Sequence, residues 1–476
     1  MAICEVDIVF SYLKQGRAFY RNLILLSLPI ILQNLVTTSL AMVDTFMVGM
    51  LGETPLAAVT LANLPIFVIQ FVVFGIQSGS SVLISQYWGK KDTDNINRVV
   101  GVSALVAGGV ALLFALALFF FPTQIMGLLT NDAALRDAAA PYGQIVGFSY
   151  VFNSLTGVYV GAHRSMENPK LGLIVFSISM LANTFLNWVF IFGNLGAPRL
   201  GVVGAATATL LSRILEFIVM ALYAAWNHRF RLRPALLLRP GADIARRFLR
   251  YATPVVLNET LWGLGTSLYP TIMGHMKGST EILAAYAVAG NVDRFCCVAV
   301  FAVGATSAVI IGREIGAGHS DKVYDIGKCL NVVSLALGAV VGAIMLLGTR
   351  VILQPFIYPV YPAFRDSPGA AGITTIILTV TAIFLPARSF NATNIVGVLR
   401  GGGDVRFSTV IDLLPLWVVA IPLAALSGLV AELGILWVYL SIEMENTVKL
   451  FLGVWRLRSG AWIHDVTRAS FQKERG

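Results

Sequence analysis

The sequence predicts an all-α polytopic membrane protein of twelve transmembrane helices in two six-helix bundles. Three observations carry that prediction. First, the 476 residues are 57% hydrophobic and only 12% charged, with a mean hydropathy of +0.78, whereas an ordinary soluble domain carries about a quarter charged residues. So few charges cannot coat the polar surfaces of a soluble chain this long, which makes lipid the solvent. Second, charge-free runs extend from Thr54 to Gly89, Val99 to Asn131, Leu171 to Pro198 and Cys329 to Thr349. Each supplies the roughly 20 apolar residues that a helix needs to cross a bilayer core. None alternates with period two, which argues against barrel strands. Third, the chain repeats itself. The segment from Leu56 to Gly89 aligns without a gap on Leu283 to Gly316 at an offset of 227, with ten of 34 positions identical, and Val160-Gly161-Ala162-His163-Arg164 resembles Val396-Gly397-Val398-Leu399-Arg400.

The six spans of an N-lobe (residues 1–225) fall at 23–50, 55–87, 97–121, 137–162, 171–193 and 200–224. Those of a C-lobe (residues 251–476) fall at 248–273, 282–311, 326–348, 371–399, 407–428 and 433–455. Residues 226–250 form a basic linker holding Arg229, Arg231, Arg233, Arg239, Arg246, Arg247 and Arg250. Of the 34 Lys and Arg, 25 lie at the termini and in alternate loops on one side, and five lie opposite. That bias places both termini and the linker in the cytoplasm of a multi-pass plasma (inner) membrane protein. It also accounts for the net charge of +9 without any nucleic-acid partner. Glu5, Asp7, Lys14, Arg17 and Arg21 precede a first apolar run with no small-residue cleavage pattern, unlike a secretory signal. Cys4, Cys296, Cys297 and Cys329 read as packing residues rather than a disulfide set.

Six spans per half is an even number, so the halves insert with the same orientation, related by an axis along the membrane normal. Rocking two such bundles alternates access to a cleft between them, which is a transporter design. The chemistry then rests on polar residues inside spans, where each charge costs about 2.5–3.5 kcal/mol to insert. Asp44 has apolar neighbours on both sides and shares a helical face with Gln33 and Thr37. It reads either as a desolvated carboxylate that binds a proton or sodium, or as an interfacial cap. Asn183 and Asn187, at i and i+4, can offer carbonyl oxygens to a cation or act as helix–helix glue. Asn153 is similar. Asn258 and Glu259 follow Pro254, and Glu259 is either functional or fixed in a charge cluster with Asp293, Arg294 and Arg388. Asp412 reads as interfacial. Pro29, Pro65, Pro254, Pro386 and Pro415 kink their helices. Tyr150, Trp188 and Trp262 can stack on a cationic aromatic ligand or face lipid.

No GxxxxGK[ST] or HExxH occurs, and His163, His228, His275, His319 and His464 are scattered. The expectation is therefore no enzyme and no organic cofactor.

The segment from Pro29 to Gly52, PIILQNLVTTSLAMVDTFMVGMLG, resembles the first span of the multidrug and toxic compound extrusion (MATE) family. The likeness continues in order through LAAV, ISQYWGKKD, NWVFIFGNLG, GVVGAATATLLSR, IGREIGAG and VLRGGGD. It implies two six-helix bundles around a central V-shaped cleft, and antiport of small organic compounds, often cationic, against H+ or Na+. By this resemblance Asp44 matches the acidic residue of the N-lobe cavity, and Asn183 and Asn187 match a fifth-span polar pair. Archaeal-type members carry Asp where Asn187 stands. Glu259 matches the seventh-span acidic residue of sodium-coupled members, but Ser389 stands where those members carry a tenth-span Asp, so Asp293 would have to substitute. A possible Na+ site is then at Asp44 or Glu259. The implied partners are the bilayer, the coupling cation and a small substrate, with a monomer as the expected state. The alternative reading is a flippase of lipid-linked precursors or oligosaccharides. Such a protein would line its cleft with several basic residues, and only Arg213, Arg294, Arg388 and Lys449 lie in spans.

Overall fold

The computed structural model describes residues 15–227, 230–358, 364 and 368–468; Cys4, His228, Arg229 and Arg365 lie outside them. Among the described residues there is no strand, only an isolated bridge between Gly403 and Ile463. Six long helices occupy the first half: α1 (Arg17–Gly49), α2 (Glu53–Gly89), α3 (Thr93–Phe120), α4 (Ala133–Ser165), α5 (Lys170–Phe192) and α6 (Val202–Trp226). Six follow in the second half: α7 (Ala242–Gly274), α8 (Ser279–Gly316), α9 (Ser320–Ile357), α10 (Gly369–Leu399), α11 (Val405–Val430) and α12 (Ile435–Ser459). Ten are long and apolar enough to cross a membrane; α7 and α12 are not among them, because each carries charges along its length.

Local chemistry sets the helix ends. Asp92 and Asp132 cap α3 and α4 with side-chain oxygens on the free amides of the first turn. Gly193, Gly278 and Gly460 take left-handed φ at the boundaries of α5, α8 and α12, a region that costs a glycine least. Pro415 lacks the amide that would continue an α-helical ladder, and α11 goes over to π-helix at Pro415–Ala420. A second π stretch, Ala392–Leu399, ends α10. The outer faces confirm lipid as the solvent. On α9, Val340, Ile344, Leu347 and Val351 form a stripe at helical spacing, each more than half exposed, and water would penalise so continuous an apolar face.

The chain forms two compact units, 28–260 and 1–27 with 261–476. The divisions fall inside α1 and α7 rather than in the linker 226–250, where α7 already begins at Ala242. Contacts explain where they fall. In one unit, Ser27 of α1 donates to Thr306 of α8 at 3.0 Å. In the other, Gly79 of α2 lies so close to α7 that a Cβ would stand 2.5 Å from the Ala252 Cα, and one at Gly75 would stand 2.6 Å from the Val256 Cα. Gly79 and Thr306 are equivalent in the sequence repeat. The opening turns of each half's first helix are thus packed on the second helix of the other half. Small residues four apart permit such backbone contact. Gly79→Ala should therefore cost about 1–3 kcal/mol by overpacking, read as a lowered thermal midpoint of the detergent-solubilised protein. An unchanged midpoint would refute the close crossing.

Candidate functional site

In the 28–260 unit, α1 and α5 run side by side in the same direction. A Cβ at Gly172 of α5 would meet Gln33 Oε1 at 2.3 Å, and farther along both helices Asn187 Nδ2 donates to Asp44 Oδ1 at 2.7 Å. The second hydrogen of the same amide reaches Asn183 Oδ1 at 3.1 Å. Asn183 Nδ2 lies 3.4 Å from Ser212 Oγ and 3.5 Å from Thr209 Oγ1 on α6. Asn187 is fully buried, and its Oδ1 has no hydrogen-bond partner. A buried acceptor left without a donor is unusual, and here it stands one amide away from a carboxylate. Asp44 itself is half-buried and forms no ion pair among the described residues.

A positive field on Asp44 comes from Arg213 of α6, but that guanidinium is engaged by Glu216, whose side chain is fully buried. Asn153 Nδ2 lies 3.5 Å from Glu216 Oε1. Asn153 therefore helps to hold the Arg213–Glu216 pair and does not contact Asp44 itself. Gln33 is also displaced from the expected group. It is buried against α5, eleven residues or about 16 Å along α1 from Asp44 at 1.5 Å per residue, and Thr37 between them is exposed and bonds its own helix. Gln33 and Asp44 thus meet different turns of α5.

The second expected group is divided between the units. Asn258 and Glu259 are buried on the stretch of α7 that belongs to the 28–260 unit. Asp293 and Arg388 belong to the other, where they form a bidentate pair with both bonds at 2.9 Å. Cys297 Sγ adds a donor to Asp293 at 3.3 Å. Asp293 is thus fixed by Arg388 rather than open to a cation. Ser389 is buried in a hydroxyl cluster, bonding the Ser334 carbonyl at 2.7 Å and sharing Ser334 Oγ with Thr393. Asp412 accepts from Lys449 Nζ at 2.6 Å, and Glu445 binds the same ammonium.

The sequence reading passed over Glu216, Glu443 and Glu445, all buried. Two of the three carried a signal. Glu216 lies three residues from Arg213 and Glu445 four from Lys449, the spacings at which opposite charges meet on a helix. His163 lies buried in the last turn of α4, its ring packed against Tyr159, Tyr223 and Phe230. Tyr150 accepts a bond from Gln70, while Trp188 is exposed. No group of three His, Cys, Asp or Glu suited to a metal ion occurs among the described residues. A cavity of about 620 Å³ between α3, α4, α6 and the linker is lined by apolar side chains and Arg231; Asp44 and the two asparagines are not part of it.

The sequence model of the MatE family matches residues 29–189 and 254–426. Similar proteins include the uncharacterized transporter YisQ of Bacillus subtilis, 25% identical over 93% of this chain and 95% of its own length. Another is a probable multidrug resistance protein NorM of Thermotoga maritima, 23% identical over 93% of each. Among solved structures, a mutant of the Vibrio cholerae MATE transporter VcmN superposes with a TM-score of 0.83 at 19% identity, covering 94% of this chain and 98% of that one. A MOP-superfamily transporter from Pyrococcus furiosus gives a TM-score of 0.81 at 20% identity, covering 93% and 96%. With a family match over two stretches that together span most of the helices, and a fold shared with its transporters, this chain belongs to the multidrug and toxic compound extrusion (MATE) family of membrane transporters.

Proposed function

We propose that this chain is a secondary active antiporter of the cell membrane, with both termini cytoplasmic, that exports small and often cationic organic compounds in exchange for H+ or Na+. The coupling cation binds at Asp44, with Asn187 and Asn183 as supports. One observation carries the reading: Asn187 donates one amide hydrogen to the Asp44 carboxylate while its own buried oxygen has no donor among the described residues. Carboxylate and carbonyl oxygens are what a proton or a hard cation needs. A single carboxylate cannot satisfy cation and cationic cargo together, so each displaces the other. Differing affinities in the inward- and outward-open states then turn displacement into exchange.

The distribution of in-span cations weighs against phosphate-bearing lipid cargo. Arg213, Arg388 and Lys449 are each matched to carboxylates, which leaves exposed Arg294 as the remaining one.

Proteoliposomes loaded with a fluorescent organic cation test the proposal. Either an imposed pH gradient or an imposed sodium gradient, applied separately, should drive exchange. If neither gradient moves the dye, the proposal fails. Asn187→Ala removes both the bond to Asp44 and the spare oxygen. It should lower apparent affinity for the driving cation by about tenfold or more, the usual effect of losing an orienting partner. An unchanged cation dependence would remove Asn187 from the site.

A further inference from the structure

A second arrangement of the same chemistry stands in the 261–476 unit. Glu443 of α12 is 3% exposed, and its Oε2 accepts from Asn446 Nδ2 at 2.8 Å. Asn391, near the end of the α-helical part of α10, holds Asn446 by donating to its main-chain oxygen at 2.8 Å. Asn391 is 4% exposed, and its Oδ1 has no hydrogen-bond partner. The parts of the Asp44 site recur in a different order: a carboxylate steadied by one asparagine amide and a second asparagine behind it, with the unpartnered buried oxygen on that second asparagine.

The charges around it sharpen the case. Those whose fields reach Glu443 are Arg388 of α10, Asp293 of α8 and Glu445 of its own helix. Arg388 is held at both ends of its fork by Asp293. Lys449 lies between Asp412 and Glu445, and Glu445 also accepts from Tyr269 of α7 at 2.9 Å. Tyr439 contributes a phenol already bonded by Thr381 at 3.2 Å. Arg294 is exposed, and its field falls on Asp293. Four carboxylates thus share two cations, half-buried Arg388 and buried Lys449, and Glu443 forms no ion pair among the described residues. A carboxylate withdrawn from water without a counter-charge is costly until a proton or cation neutralises it.

We propose that Glu443, steadied by Asn446 and with Asn391 behind that residue, forms a second site for a small monovalent cation, a proton or sodium, separate from Asp44. The proposal rests on the reading of the chain as a cation-coupled exchanger and adds a second coupling position to it. The site is not an echo of the sequence repeat. Pro29-Ile-Ile-Leu-Gln33 aligns with Pro254-Val-Val-Leu-Asn258 at an offset of 225, which puts Tyr269 in the register of Asp44. The 261–476 unit therefore rebuilds the carboxylate–amide arrangement from α10 and α12 instead of inheriting it on α7.

The test is infrared titration of protonated carboxylic acids in the purified full chain, in choline and in sodium salts. Glu443→Gln should remove one titrating component that Asp44→Asn retains, and Asp44→Asn should remove another. If sodium lowers the Glu443 component at fixed pH, the site takes sodium; indifference to sodium makes it a proton site. Asn391→Ala should shift the midpoint of the Glu443 component and leave that of Asp44 in place. A Glu443→Gln spectrum matching the parent at every pH in both salts would overturn the proposal. Loss of the Glu443 component alone, with Asp44→Asn unchanged, would instead sink the Asp44 reading and leave this one standing. Should Glu443→Gln fail to fold, Glu443→Asp must move the component, and an unmoved one is equally fatal.

Discussion

Asp44→Asn is expected to abolish cation-driven export while leaving the protein folded and in the membrane. The substitution is isosteric, and the new side-chain oxygen can still accept from Asn187, which now donates at 2.7 Å. Helix insertion does not suffer, because removing an in-span carboxylate removes a cost of about 2.5–3.5 kcal/mol. What disappears is the charge that a cation can neutralise. Everted vesicles should therefore accumulate a fluorescent organic cation no faster than vesicles lacking the protein, with the same amount of protein in the membrane fraction. Unchanged accumulation would end the role assigned to Asp44. Gln33 supplies the contrast. It lies on the same face of α1 but is buried against Gly172. Gln33→Leu should perturb packing there and leave the dependence of transport on the driving cation unaltered.

The contrast between Asp44 and Gln33 marks how far the sequence could be read. Helices and lipid exposure follow from composition and run length, which report directly on solvent. The polar pair on α5 was legible because Asn183 and Asn187 stand one turn apart in an apolar helix. Depth and partner were not. A face of helix says which residues look the same way, but not which turn of the neighbour each one meets. Asp293 illustrates the limit. In sequence it is a lone in-span carboxylate, and only the fold shows that Arg388, 95 residues away, closes on it. Asp412 likewise looked terminal until α12 brought Lys449 across it. The charges of α12 were the least visible, because Glu443, Glu445 and Lys449 in one helix read as polarity rather than as buried pairs. The repeat shows the opposite strength. The offset found in sequence pairs Gly79 with Thr306, and in the fold both make close helix contacts, because a duplicated surface keeps its shape even where its side chains change.

Lys449→Met should destabilise the protein more than any other single change at the buried charges. The ammonium is 4% exposed and bonds both Asp412 and Glu445. Methionine matches its length but leaves two carboxylates facing each other across an apolar gap. Removing one partner of a buried pair costs about 3–5 kcal/mol, and here one cation serves two anions. The expected result is a thermal midpoint lowered by many degrees in detergent and a reduced yield of folded protein. Neutralising the orphaned groups separates lost attraction from lost packing. Lys449→Met with Asp412→Asn and Glu445→Gln should recover most of the midpoint, since replacing a whole buried ion cluster is often neutral. If the single variant is as stable as the parent, the three groups are not buried together as described. If the triple variant is no better than the single one, packing around Lys449 matters more than its charge. Glu443 offers the control within the same helix: among the described residues it has no ion pair to lose, so Glu443→Gln should leave the midpoint unchanged or raise it.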